Sequence, residues 1–239
     1  ALDKINTLAF MNIIITGASS GVGFEAVLEL ILTNKHKVIA LARSESKLGR
    51  LLEIAKGLNP DCVLYPVAFD IVHDDYNDLL QFINTRLDGQ VDILINNAGM
   101  LINKPFTELL ETDFVEMLQS NFIGHVRIIQ SLLPLMPAGA HIVNIGSMGG
   151  FQGSSKFAGL TAYSSSKAAL HTLTECLAQE LTGQQIKVTS ETAGQKLEEY
   201  YDRVLVSVGR APNSQDLGLE NTQVQLDDDK RWIKVDERM

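Results

Sequence analysis

Residues 12–23 read Asn-Ile-Ile-Ile-Thr-Gly-Ala-Ser-Ser-Gly-Val-Gly. A run of isoleucines is typical of a strand that is buried on both faces of a parallel sheet. Gly17, Gly21 and Gly23 follow this run, and the apolar stretch from Phe24 to Leu32 predicts a helix. A glycine-rich turn between strand and helix lets backbone N–H groups approach a pyrophosphate, to which the helix N-terminus adds its positive end. We therefore interpret the segment as a phosphate-binding turn rather than a plain turn.

Strand-like and helix-like segments alternate along the chain. Strands are predicted near residues 12–16, 37–42, 62–69, 91–96 and 140–146, and helices near 21–34, 45–57, 75–88, 107–136 and 162–182. The alternation predicts an α/β fold with a doubly wound parallel sheet covered on both faces. Ligands of such sheets bind at the carboxyl ends of the strands. The residues that fall there are Gly17, Arg43, Asp70, Asn97 and Ser147.

Tyr163 and Lys167 are four residues apart in a predicted helix, so the phenol and the ammonium group share one face. A nearby cation favours the phenolate form of a tyrosine, which makes the side chain usable as an acid or base. The spacing alone is weak evidence, because it arises by chance in many solvated helices. The motifs upstream, including Ser147 at the end of an apolar run, give it weight.

The composition limits the class of protein. With 239 residues, 45% of them hydrophobic, the chain can bury a full core in one or two domains. Its net charge of −9 argues against nucleic acid or an anionic membrane as the main partner. We expect no membrane span, no secretory signal and no metal site. Cys62 and Cys176 are expected to be packed thiols rather than a disulfide, which favours a cytoplasmic location.

With these pieces in order, the chain resembles the short-chain dehydrogenase/reductase family from about Met11 to Ser190. The matching positions are segments 16–23 and 96–99 and the residues Asp70, Asn121, Ser147, Tyr163 and Lys167. The resemblance implies an oxidoreductase that interconverts a carbonyl and a secondary alcohol by hydride transfer. It also implies a small-molecule substrate and a homodimer or homotetramer.

The resemblance implies roles for individual residues. Ser147 would donate a hydrogen bond to the substrate oxygen, Tyr163 would deliver the proton, and Lys167 would lower the tyrosine pKa and contact the nicotinamide ribose. The backbone carbonyl of Asn121 would hold a water that connects Lys167 to solvent, and Asp70 would hold the adenine amino group. The residues implied to bind the cofactor are Gly17, Ser19, Ser20, Gly21, Val22, Gly23, Arg43, Asp70, Asn97, Ala98, Gly99, Tyr163 and Lys167.

The choice of cofactor depends on Arg43, at the end of the second predicted strand. A carboxylate in this place would accept hydrogen bonds from the ribose 2′-hydroxyl and repel a 2′-phosphate. The strand ends Leu41-Ala42-Arg43 instead, and similar family members with arginine there prefer NADP. NADP is therefore expected over NAD, with an ordinary surface arginine as the alternative.

The resemblance ends near Ser190. The Pro-Gly segment that packs on the nicotinamide in the family does not follow, and residues 186–192 and 200–208 alternate as in a hairpin with a turn around Gly194. Residues 190–239 are instead similar to a segment of dihydrolipoamide dehydrogenase, most specifically in the string Ser-Val-Gly-Arg-Ala-Pro-Asn at 207–213, but the Cys-x-x-x-x-Cys redox pair of that family is absent. A chimera, a natural fusion and a wrongly assigned tail sequence remain open.

These patterns predict three parts. They are an N-terminal extension (1–10), a dinucleotide-binding and catalytic Rossmann-like domain (11–190), and an atypical, hairpin-rich tail (191–239). Because the family's Pro-Gly segment does not follow Ser190, a second functional class stays open, in which the chain binds the cofactor but is catalytically impaired.

Overall fold

The computed structural model describes residues 10–33 and 36–191, which form a parallel sheet with helices on both faces. The strands are β1 (Met11–Thr16), β2 (His36–Ala42), β3 (Val63–Ala68), β4 (Ile93–Asn96), β5 (His141–Ile145) and β6 (Lys187–Glu191). Their order in the sheet is β3-β2-β1-β4-β5-β6, and every pair is parallel. This is the strand order of a doubly wound dinucleotide-binding fold, so the predicted fold class is confirmed.

The helices divide between the two faces of the sheet and bury one core on each. They are α1 (Gly21–Ile31), α2 (Glu45–Leu58), α3 (Tyr76–Arg86), α4 (Glu111–Leu118), α5 (Gly124–Leu132) and α6 (Thr161–Glu180). Ile13 and Ile15 lie in the core with α1 and α2, whereas Ile14 lies in the core with α3 and α5. Successive side chains of a strand point to opposite faces, which explains why all three isoleucines are fully buried.

The helix predicted near 107–136 is shorter, from Glu111 to Leu132, and contains one π turn. Leu110 is extended, and its backbone N–H donates to Asp113 Oδ2 at 2.9 Å, which starts α4. Residues Gln119–Ile123 form a π turn between α4 and α5. After α5 the chain tightens into a 3₁₀ turn at Leu133–Leu135, where Pro134 cannot continue the α-helical hydrogen bonds.

The alternating residues near 186–192 form β6, which pairs in parallel with β5. The proposed partner strand at 200–208, the turn around Gly194 and the segment similar to dihydrolipoamide dehydrogenase lie outside the described residues.

Within the described part of the chain, no helix combines the length and the apolar character that crossing a bilayer requires.

Candidate active site

The glycine-rich turn connects β1 to α1 and leaves room only for backbone. Gly17 and Gly21 have φ angles of 69° and 59°, in the left-handed region that favours glycine. A Cβ at Gly17 would lie 2.7 Å from the Cα of Ala98, and one at Gly23 would lie 2.5 Å from the carbonyl oxygen of Gly17. The turn is therefore packed tightly against the loop after β4, with the N-terminus of α1 behind it.

Thr16 and Asn97 join the carboxyl ends of β1 and β4. The buried Thr16 Oγ1 accepts hydrogen bonds from the backbone N–H groups of Asn97 at 3.0 Å and Ala98 at 2.9 Å. In return, Asn97 Nδ2 donates to the carbonyl oxygens of Thr16 and Gly17, each at 3.1 Å. The sequence motif alone predicts no role for Thr16. In the structure, Thr16 fixes the loop after β4. Its contact with Asn97 joins residues that are 81 positions apart in the sequence.

Lys167 lies buried at the carboxyl end of β5. Its side-chain Nζ donates a hydrogen bond of 2.7 Å to the carbonyl oxygen of Ile145, and the residue is 4% exposed. Burial lowers the pKa of Lys167 to about 8, so the ammonium form still predominates at neutral pH. Tyr163 precedes it by one turn of α6 and is half-buried.

The turn that carries Ser147 packs against the same part of α6. Ser147 has an extended backbone, and its Oγ accepts from the N–H of Gly149 at 3.3 Å. A Cβ at Gly150 would lie 2.6 Å from the carbonyl carbon of Lys167. The close backbone approach brings the Ser147 turn to the helix that carries Tyr163 and Lys167.

Asn121 lies in the π turn between α4 and α5 and is fully buried. Its Oδ1 accepts from the N–H of Met100 at 2.8 Å, and its Nδ2 donates to the carbonyl oxygen of Met100 at 2.9 Å and to Ser166 Oγ at 3.0 Å. A Cβ at Gly99 would lie 2.9 Å from Asn121 Oδ1 and 3.8 Å from Lys167 Nζ. Asn121 therefore joins the loop after β4 to α6. π turns recur at functional sites.

His125 lies one turn after Asn121, and the sequence alone predicts no role for it. It is fully buried, and its Nε2 lies 2.8 Å from the carbonyl oxygen of Ala98. A carbonyl can only accept, so Nε2 carries the proton, and Nδ1 has no hydrogen-bond partner among the described residues. Burial and the charge of Lys167 lower the pKa of His125 to about 3. No spacing pattern in the sequence indicates this contact, which joins residues 27 positions apart.

The remaining predicted cofactor residues lie at the same edge of the sheet. Asp70 follows β3, and its Oδ1 accepts from the N–H of Val72 at 2.8 Å. Arg43 is exposed immediately after β2. In the turn after β1, Ser19 is half-buried, and Ser20 and Val22 are exposed. Gly17, Arg43, Asp70, Asn97 and Ser147 thus follow the carboxyl ends of β1 to β5, and Lys167 of α6 reaches the same edge through Ile145.

A groove of about 730 Å³ lies beside α6, but it does not contain the candidate site. Its walls include Phe151, Phe157, Leu160, Ser165, His171 and Glu175, and neither Tyr163 nor Lys167 is among them. Within the described residues, no cluster of His, Cys, Asp or Glu could hold a metal ion.

The sheet order and the glycine turn are those of a Rossmann-type nucleotide-binding fold. A family model described as short chain dehydrogenase matches residues 11–195. The chain is 34% identical over 186 residues to an uncharacterized oxidoreductase of Staphylococcus saprophyticus, and the match covers 76% of each chain. An uncharacterized oxidoreductase of Staphylococcus aureus is 33% identical over 183 residues, with the same coverage. The chain belongs to the short-chain dehydrogenase family.

Solved structures agree with this assignment. A short-chain dehydrogenase from Streptomyces avermitilis is 30% identical, with a TM-score of 0.66 over 83% of this chain and 71% of that one. A short-chain dehydrogenase/reductase from Serratia marcescens is 25% identical, with a TM-score of 0.67 over 78% of this chain and 75% of that one. The resemblance read from the sequence motifs is thereby confirmed.

Proposed function

We propose that the chain is an NADP-dependent oxidoreductase that interconverts a carbonyl and a secondary alcohol by hydride transfer, with Ser147, Tyr163 and Lys167 as its catalytic residues. The observation that carries the proposal is the buried ammonium group of Lys167. It lies one turn of α6 after Tyr163 and donates to the carbonyl oxygen of Ile145, which precedes Ser147 by two residues in sequence.

The turn after β1 fits the pyrophosphate of a dinucleotide. Positions 17 and 23 have space for backbone only, and backbone N–H groups at the start of α1 suit an anion. The residues that would hold the cofactor are Gly17, Ser19, Ser20, Gly21, Val22, Gly23, Arg43, Asp70, Asn97, Ala98, Gly99, Tyr163 and Lys167. When bound, the nicotinamide supplies the hydride chemistry, which no amino-acid side chain can provide.

The chain's own residues orient the substrate and move its proton. Ser147 donates a hydrogen bond to the substrate oxygen, on which negative charge grows during reduction. Tyr163 delivers the proton to that oxygen and takes it back during alcohol oxidation. Lys167 places a positive charge beside Tyr163 in a site sheltered from water, where a charge acts more strongly than in solvent. The Asn121 carbonyl would hold the water that connects Lys167 to solvent.

The preference for NADP is supported by the end of β2. No carboxylate stands there, and the exposed Arg43 makes no hydrogen bond or ion pair with another described residue. A guanidinium group in this condition is ready to bind a 2′-phosphate through paired N–H donors. A cofactor without the 2′-phosphate gains no binding affinity from Arg43.

The family relationship supports a small-molecule substrate and self-association, and we propose a homodimer or homotetramer. Leu110, Val115 and Leu118 are large apolar side chains that stay exposed at or near α4, as expected of a surface that a second copy covers.

The free thiols of Cys62 and Cys176 support a cytoplasmic location. The division into residues 1–10, 11–190 and 191–239 also remains a proposal.

A second candidate function is a hybrid that binds the cofactor without turnover. It is favoured by one feature of the sequence, the missing Pro-Gly segment after Ser190. Fluorescence titration with NADPH and NADH, paired with turnover on a reactive diketone, separates the two. The oxidoreductase binds NADPH more tightly than NADH and oxidises it when the diketone is added. Binding without turnover selects the hybrid, and failure to bind either cofactor contradicts both candidates.

A further inference from the structure

The loop after β3, residues 70–75, is closed by hydrogen bonds within itself. Asp70 Oδ1 accepts from the N–H of Val72 at 2.8 Å, and Asp74 Oδ2 accepts from the N–H of Asp70 at 2.7 Å. The N–H of Asp74 in turn donates to the carbonyl oxygen of Asp70 at 3.0 Å. Asp70 Oδ2 has no hydrogen-bond partner among the described residues, so it can accept from a ligand.

Two side chains outside the loop bind its backbone carbonyls. The Tyr76 hydroxyl donates to Ile71 at 2.8 Å, while Arg127 of α5 donates through Nη1 to Val72 and through Nη2 to Asp74 at 3.4 Å. The Arg127 guanidinium also lies 5.1 Å from the centre of the Tyr76 ring, a cation–π distance. Burial raises the pKa of Tyr76 above its ordinary value, so its hydroxyl remains a donor.

A second contact between the loop and α5 is independent of Arg127. Ile71, which is 6% exposed, packs where α5 begins. A Cβ at Gly124 would lie 2.8 Å from both Cγ1 and Cδ1 of Ile71. The absence of a side chain at Gly124 therefore lets the residue next to Asp70 approach the helix. The same helix follows directly on the π turn of Asn121.

We infer that Arg127 and Gly124 are positioning residues that hold the 70–75 loop, and with it Asp70, in the shape that receives the adenine half of the cofactor. The inference rests on the proposed function, in which Asp70 contacts adenine. The loop is fixed before the ligand arrives, so binding does not have to order it. Without the Arg127 guanidinium, the carbonyls of Val72 and Asp74 lose this donor, while the Ile71 contact at Gly124 still joins the loop to α5.

The test removes the guanidinium and keeps the apolar stem, as Arg127→Met. Arg86→Met is the matched control, because Arg86 also lies over aromatic rings, at 5.5 Å from Tyr65 and 5.8 Å from Phe82, but at the other end of α3. Calorimetry measures the affinity for adenosine 2′,5′-bisphosphate and, separately, for reduced nicotinamide mononucleotide. We expect Arg127→Met to weaken the adenine nucleotide by on the order of tenfold, because the ligand must then order the loop.

The nicotinamide mononucleotide should bind the parent, Arg127→Met and Arg86→Met equally, which also verifies that each variant is folded. Hydrogen exchange of the Asp70, Val72 and Asp74 amides gives a readout without any ligand: it should speed up in Arg127→Met and not in Arg86→Met. Gly124→Ala should also lower the affinity for the adenine nucleotide, because the added Cβ displaces Ile71.

Unchanged adenine-nucleotide affinity and unchanged amide exchange in Arg127→Met would overturn the positioning role while leaving the proposed function intact. Equal weakening of both nucleotide halves would overturn it as well, because that pattern reports a general loss of structure. A parent protein that binds neither adenosine 2′,5′-bisphosphate nor NADPH would overturn the proposed function together with the inference.

Discussion

Asn121 binds the backbone of Met100 through both the oxygen and the nitrogen of its carboxamide. Oδ1 accepts from the Met100 N–H at 2.8 Å, and Nδ2 donates to the Met100 carbonyl oxygen at 2.9 Å. The pair joins the turn in the middle of the α4–α5 segment to the loop that follows β4. Because the same Nδ2 also donates to Ser166 on α6, one buried amide connects three elements of the candidate site.

Replacing Asn121 with alanine should therefore destabilise the fold as well as disturb the site. The N–H and carbonyl of Met100 and the hydroxyl of Ser166 would lose a partner, and each buried polar group left unpaired costs roughly 1–3 kcal/mol. Urea unfolding of Asn121→Ala beside the parent measures the loss. Gln130→Ala, which removes an exposed carboxamide from α5, should change stability little. Equal stabilities of Asn121→Ala and Gln130→Ala would contradict the role given to Asn121.

His125 should make the free energy of unfolding depend on pH in the acidic range. Its folded pKa of about 3 lies below the ordinary value of 6.5. Between these values the unfolded chain binds a proton at His125 and the folded chain does not, so stability falls as the pH drops from about 6.5 towards 3. In His125→Gln, whose amide can still donate to Ala98, this part of the pH dependence should disappear.

The measurement is the free energy of unfolding of parent and His125→Gln at about pH 7 and about pH 5. His73→Gln is the control, because it makes the same substitution at an exposed histidine. A loss of stability on acidification that is as large in His125→Gln as in the parent would show that His125 is not the group responsible.

Arg43→Asp tests the preference for NADP. The change removes a charge-assisted contact with the 2′-phosphate and adds repulsion, which should weaken NADPH by on the order of 1–3 kcal/mol and NADH far less. Fluorescence titration of both cofactors measures the difference. Arg50→Asp makes the same charge change at an exposed position of α2 and should alter neither affinity much. Equal weakening of NADPH and NADH in Arg43→Asp would contradict the assignment.

Much of the fold could be predicted because its signals are local. The isoleucines of β1, the glycines of the turn and the apolar face of α1 lie within one stretch of about twenty residues, and each constrains backbone conformation on its own. The edge of the sheet on which Asp70, Asn97 and Ser147 lie followed from the rule for parallel strands. The π turn inside this helical segment could not be predicted in the same way, since it is held by Met100 from another loop.

Residues whose role depends on contacts distant in sequence were also missed. Thr16, His125 and Arg127 each act on a backbone group between 27 and 82 residues away, and no spacing rule reports such a contact. His125 looks like an ordinary helix residue until its Nε2 is found on the carbonyl of Ala98. Arg127 resembles a solvated charge until its guanidinium is found on the loop after β3.

Lys167→Ala should reduce both turnover and cofactor affinity. In the proposed function, a single ammonium group serves the Tyr163 phenol and the nicotinamide ribose, and its removal also deletes the hydrogen bond to the carbonyl oxygen of Ile145. NADPH titration and diketone reduction measure the two effects on the same sample. Full NADPH affinity in Lys167→Ala would contradict the second of these roles.

Tyr163→Phe tests the central claim most directly, because it removes one hydroxyl and leaves Lys167 and the cofactor turn in place. General acid catalysis contributes about 10²–10⁴-fold, so the account predicts that diketone reduction falls by that factor while NADPH affinity barely changes. The measurement is turnover and NADPH binding of Tyr163→Phe beside the parent. If Tyr163→Phe keeps most of the parent's activity, or if the parent binds NADPH well and reduces no diketone, the catalytic account of this chain is wrong.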